Sequence, residues 1–155
     1  MAKPKLYMMV GIPGSGKSTY AKNHLQNEDT IIVNSDQIRA ELFGDEKIQK
    51  NPKRVFAILY KRVRKLLLSG KNAVIDATNT SRKYRAITLA SFKDIDCEKI
   101  AILVETPLEM CYKFDKMRDR HVSKRVIDKF AREMEIPMLD EGFDQIVVYK
   151  NEYRI

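Results

Sequence analysis

Short apolar runs alternate along the chain with longer segments whose apolar residues recur every three or four positions. Leu6–Val10 is the first run, and it stops at Gly11. It predicts a buried parallel strand, because a strand covered on both faces reads as continuous apolar sequence. Ser18 through Leu25 predicts a helix. Thr30–Val33 is a second strand, ending in Asn34-Ser35-Asp36. Ser35 or Asp36 is placed to cap the next helix, where Ile38, Leu42 and Phe43 fall at helical spacing before Gly44. Pro52 opens a long helix with Val55, Ile58, Leu59, Val63, Leu66 and Leu67 on one side, ending at Gly70.

Ala73–Asp76 is a third strand with an acidic end. Ser81 begins a helix that runs to about Lys93, and Lys99–Val104 is a fourth strand. Pro107 begins a helix through about Met117. A basic stretch from Lys116 to Arg125 follows, then a helix near Val126–Met134, and Gln145–Tyr149 is a fifth strand. Strands alternating with helices predict an α/β fold, a parallel sheet covered on both faces. Neither repeats nor an interdomain linker interrupt the pattern.

Composition narrows the class. A chain of 155 residues, 44% hydrophobic and 32% charged, fits one compact globular domain over residues 1–155. That length supports a core without disulfides or a structural metal. Cys97 and Cys111 form no C-x-x-C pair, and His24 and His121 show no zinc spacing. Both cysteines are expected to be reduced, in a cytoplasmic protein. No apolar run approaches the roughly 20 residues of a membrane helix. The N-terminus passes from Lys3 and Lys5 straight into strand and glycine loop, so no signal peptide is expected. Lys and Arg number 29 against 21 Asp and Glu, a net charge of +8, which favours a polyanionic partner.

The candidate chemistry begins at Gly11-Ile12-Pro13-Gly14-Ser15-Gly16-Lys17-Ser18-Thr19. Gly11, Gly16, Lys17 and Ser18 fit the phosphate-loop pattern G-x-x-x-x-G-K-[ST], between a strand and a helix. Glycines let successive backbone N–H groups curl around phosphates, and the helix N-terminus adds positive charge. Lys17 is expected on the β- and γ-phosphates of ATP and Ser18 on Mg²⁺. Asp76, at the end of the third strand, is the expected acidic partner of the magnesium. Thr78 and Asn79 follow it as a polar cluster on the strand exit, assigned to the acceptor side.

Asp36 ends the second strand on the same carboxyl edge, where ligands of open parallel sheets sit. A carboxylate there can orient an acceptor hydroxyl and take its proton. Arg39, three residues on, shares its face of the first helical turn. In the basic stretch Arg118-Asp119-Arg120-His121, a lid spanning about 115–135 is expected to bring Arg118 or Arg120 to the transferring phosphoryl group.

These motifs resemble the 5′-hydroxyl polynucleotide kinase family of P-loop kinases. The matching pieces are Gly11–Thr19, Asn34-Ser35-Asp36-Gln37-Ile38-Arg39, Ile75-Asp76-Ala77-Thr78-Asn79, the arginine-rich stretch ending in Val122, and Ile136-Pro137 with Asp140-Glu141-Gly142-Phe143-Asp144. The resemblance implies a three-layer P-loop kinase fold whose central five-stranded parallel sheet has the order 2-3-1-4-5, under a basic helical lid. It implies that Asp36 is the general base, that Arg39 engages a phosphate of the acceptor strand, and that Arg118 or Arg120 contacts the ATP phosphates. The substrate so implied is a 5′-hydroxyl end of RNA or DNA. With no D-x-D-G-T phosphatase signature or ligase lysine motif, a stand-alone kinase with no obligate protein partner is expected. Two alternatives stay open: the same transfer to a small-molecule or tRNA-linked hydroxyl, and a P-loop ATPase or switch without kinase activity.

Overall fold

The computed structural model describes residues 2–45, 51–118 and 122–151. In chain order the elements are β1 (Lys5–Val10), α1 (Lys17–Tyr20), β2 (Thr30–Asn34), α2 (Ser35–Phe43), α3 (Pro52–Leu68), β3 (Asn72–Asp76), α4 (Arg82–Ala90), β4 (Glu98–Glu105), α5 (Leu108–Lys116), α6 (Lys124–Glu133) and β5 (Gln145–Lys150). Among the described residues the sheet has five strands in the order β2-β3-β1-β4-β5, every neighbouring pair parallel. The order is the one implied by the family resemblance.

The alternation of side chains along the strands divides the core. Leu6, Val33, Ala73 and Ile75 turn to one face, where Val55, Leu59, Val63 and Leu67 of α3 cover them at four-residue spacing. Met8, Val10, Ala101 and Leu103 meet Leu89 of α4 and Phe143. Met9, Val74, Ile100, Ile102 and Val104 turn the other way, onto Ala21, with Tyr20 and Leu25 packed at the margin. Helices on both faces of one sheet make the three layers.

Local chemistry explains most boundaries, and it moves two of them. The expected Ser18–Leu25 helix is α1 followed by a π-helical turn over Ala21–Leu25. The cap of α2 is Asn34, whose side-chain oxygen accepts from Gln37 N at 2.9 Å. That leaves Ser35 and Asp36 inside the first turn. Pro52 occupies the start of α3, as expected, behind an Asn51 cap. The register pairs Asn34 with Asp76 across β2 and β3, bringing both strand ends to the same edge.

Candidate functional site

The loop between β1 and α1 is shaped by what surrounds it. Gly14 has φ +81° and Gly16 φ +88°, conformations that L side chains rarely adopt. A Cβ on Gly14 would lie 2.4 Å from the Cys111 carbonyl oxygen of α5. The Ser15 carbonyl accepts from Thr106 Oγ1 at 2.5 Å and from Asn151 Nδ2 at 3.3 Å. Gly11 N donates to Thr78 O at 3.0 Å, so the β3 exit holds the other end. Pro13, Gly14 and Gly16 line a cavity of about 930 Å³, together with Lys17, Ser18 and Thr19. No side chain caps the first turn of α1, where Gly16 is the cap residue.

Beside this loop sits a buried carboxylate. Asp76 is 3% exposed. Its Oδ2 accepts from Ser18 Oγ at 2.7 Å and from Asn34 Nδ2 at 2.9 Å. Its Oδ1 is buried without a hydrogen-bond partner, and such an atom is costly unless a ligand completes it. A hydroxyl beside a half-satisfied carboxylate suits a hard cation that keeps waters and phosphate oxygens in its other positions. Among the described residues no group of three or more His, Cys, Asp and Glu gathers. The donor set therefore fits Mg²⁺ held mainly through a nucleotide rather than by a closed protein cage. Lys17, half-buried on the cavity wall, lies close enough to feel its charge. Burial pushes its ammonium below the ordinary lysine range, Asp76 pulls it back, and the charge of Arg118 adds to the depression.

Asp36 and Arg39 lie on the wall of the same cavity. Arg39 Nη1 donates to Asp36 Oδ1 at 2.8 Å and reaches Ser35 Oγ at 3.5 Å. Arg39 is 9% exposed, and its Nε is buried without a partner. Thr78 also lines the cavity. Asn79, expected there, turns away. Its side-chain amide donates to Met9 O at 2.7 Å and Ala77 O at 3.3 Å, and its backbone sits at φ +49°. It shapes the loop rather than facing an acceptor.

The α5 and α6 helices form a hairpin over the cavity, to which Phe114, Met117, Arg118, Val122, Val126 and Phe130 contribute lining. Tyr112 OH donates to Asp128 between the helices. Buried Asp115 accepts from Val122 N at 3.1 Å, closing the hairpin loop. Arg118 is exposed and near enough for its charge to act on Lys17. Arg120 lies outside the described residues. Residues that sequence reasoning missed are Asn151, on the loop, and the rings of Tyr20, His24 and Tyr149 on the same cavity. Also missed was the buried pair Arg85–Glu141, in which Arg85 Nε and Nη2 donate to the carboxylate at 2.8 and 3.1 Å. Arg85 further donates to Asn79 O at 2.8 Å.

A phosphate loop at β1 of a sheet ordered 2-3-1-4-5, with the acidic end of β3 beside it, defines a P-loop kinase fold. A family model described as an AAA domain matches residues 6–137, and the chain belongs to that family. It is 25% identical over 152 residues to the bifunctional polynucleotide phosphatase/kinase assigned to Acanthamoeba polyphaga mimivirus, covering 93% of this chain and 32% of that protein. A chain in the structure of the Pnkp1/Rnl/Hen1 RNA repair complex superposes with a TM-score of 0.76 at 27% identity, over 86% of this chain and 44% of that one. These likenesses fit the polynucleotide kinase resemblance read in the sequence. The gluconokinase from Sinorhizobium meliloti shares the fold, with a TM-score of 0.65 at 16% identity over 99% of this chain and 86% of that one. The chain spans a third or less of the curated relatives it matches. Among the described residues, no helix is long and apolar enough to cross a membrane.

Proposed function

We propose that this chain is an ATP-dependent kinase that phosphorylates 5′-hydroxyl ends of RNA or DNA. The observation that carries the reading is the Asp36–Arg39 pair on the cavity wall, on the same sheet edge as the phosphate loop. ATP would supply the phosphoryl group, and Mg²⁺ would neutralise its developing charge. The loop amides of Gly14 and Gly16 and the Lys17 ammonium bind the phosphates, and the ammonium offsets the charge that develops on them. Ser18 and Asp76 hold the cation. Asp36 takes the proton of the acceptor hydroxyl as that oxygen bonds to phosphorus and the bridging oxygen leaves with ADP. Arg39, held against Asp36, keeps the carboxylate aimed and retains a buried N–H donor for an acceptor phosphate. Arg118 or Arg120 acts as the lid arginine, from a lid over about 115–135.

A polynucleotide acceptor is favoured by the basic exposed surface of α6. Lys124, Arg125, Lys129 and Arg132 are exposed on α6, the helix that lends Val126 and Phe130 to the lining. Such residues draw a polyanion toward the reacting end. The mimivirus relative is named for polynucleotide phosphorylation, which supports the same acceptor. The test is transfer of labelled γ-phosphate to a panel of 5′-OH RNA, 5′-OH DNA, gluconate and simple nucleosides. Label is expected on the nucleic-acid ends. Label confined to a small hydroxyl compound, or ATP hydrolysis with no transfer to any acceptor, overturns the assignment.

A further inference from the structure

The cavity has a direction. β2 and β3 lie on one side of β1, with β3 ending at Asp76 and β2 leading into the first turn of α2 that carries Asp36, while β4 and β5 lie on the other. A nucleotide whose terminal phosphate faces Asp76 and Asp36 extends its base away from them, toward the carboxyl end of β5. That end carries Tyr149, two residues before the Asn151 that bonds the phosphate loop. Three rings meet there. Tyr20 and Tyr149 have centroids 4.8 Å apart, Tyr20 and His24 4.6 Å, and His24 and Tyr149 6.0 Å. All three line the cavity, His24 is exposed, and Tyr149 keeps 36% of its surface in solvent. Only Tyr20 packs onto the core beneath, so the outer two rings are not explained by core filling.

We infer that Tyr20, His24 and Tyr149 form the platform on which the nucleobase of the phosphoryl donor stacks. The spacing matches that of interacting aromatic rings, and a planar base adds one more to the array. The inference rests on reading the phosphate loop as a nucleotide site, and is independent of the acceptor.

The test compares two probes by calorimetry, ATP and inorganic tripolyphosphate, which shares the phosphates and lacks the base. For the wild-type chain, ATP is expected to bind more tightly. In His24→Ala/Tyr149→Ala that advantage should fall by roughly five- to a hundredfold, the range set by losing one base–aromatic stack. Tripolyphosphate affinity should stay unchanged, which also reports that the loop is folded. The chain has two histidines, so His24→Ala assigns the imidazole proton resonances. Those of His24 should shift on adding ATP and stay still on adding tripolyphosphate. Equal weakening of both probes, or an unaltered ATP advantage, overturns the platform. So does a His24 shift produced by a 5′-OH oligonucleotide and absent with ATP, which would assign the rings to the acceptor. Failure of the wild-type chain to bind either probe removes the nucleotide reading itself, a result distinct from the others.

Discussion

Arg39→Ala separates two jobs that the structure gives to one side chain. Arg39 Nη1 donates to Asp36 Oδ1 at 2.8 Å, with the two side chains 11% and 34% exposed. Its Nε is buried and unpaired. A hydrogen bond to a charged group contributes about 1.5–3 kcal/mol net, so removing the Asp36 contact should slow turnover by roughly ten- to a hundredfold for every acceptor. That share of the loss belongs to aiming the carboxylate. A further loss should appear only for acceptors with a phosphate 3′ of the terminal nucleoside, as a raised acceptor KM at unchanged ATP KM. For a single-stranded acceptor, one lost phosphate contact also lowers the log–log salt slope of binding by about 0.7. The assay is steady-state transfer to a nucleoside and its 3′-phosphate, with oligonucleotide binding followed across a salt series. Equal penalties on nucleoside and 3′-phosphate, with an unchanged salt slope, would leave Arg39 as a support for Asp36 alone.

Lys17→Ala should abolish transfer at saturating ATP and Mg²⁺, because the loop loses its cation; substantial turnover in a labelled-phosphate assay would remove the phosphate-loop assignment. Arg118→Ala should cost orders of magnitude in kcat with little change in thermal stability, since the side chain is exposed; a near-wild-type rate would mark it as a surface charge. Arg85→Ala should destabilise the fold by roughly 3–5 kcal/mol, because it strands the Glu141 carboxylate in a site where the two side chains are 0% and 2% exposed. Denaturant melts check this, and a loss under about 1 kcal/mol would mean that water reaches Glu141. Burial pushes the Cys111 thiol up to about 11, so the native chain at pH 8 should react slowly with iodoacetamide at this position and quickly once unfolded; mass spectrometry reads the difference.

The sheet and the loop were legible because their signals are local. Strands read as unbroken apolar runs, and the phosphate loop is nine consecutive residues. The cap of α2 was less so, because Asn34, Ser35 and Asp36 are all cap formers, and only the pairing of Asn34 with Asp76 selects the first of them. Asn79 looked like an acceptor group because sequence does not display a left-handed backbone. Arg85 left a faint trace, a charged residue on the otherwise buried stripe of α4 with Thr88 and Leu89. Its partner Glu141 lies 56 residues away, beyond any periodicity. That contact gives physical content to the Asp140–Asp144 motif: Glu141 satisfies Arg85, Phe143 enters the core, and the Asp144 side chain accepts from Lys99 N at 2.8 Å.

The α5–α6 hairpin has a mechanical consequence. Its two helices are joined by Tyr112 and Asp128 across the middle, with Asp115 holding the closing loop. It is anchored at both ends: Thr106 bonds the phosphate loop ahead of α5, and Glu135 N donates to Thr80 O at 2.9 Å beyond α6. Any motion of the hairpin is then expected at two hinges, near Thr106–Pro107 and Met134–Glu135, with the two helices moving together. Amide exchange would register this as fast exchange at the hinges and slow exchange along both helices. Because Thr106 bonds the Ser15 carbonyl of the loop, filling that loop should slow exchange at the hinge beside it as well.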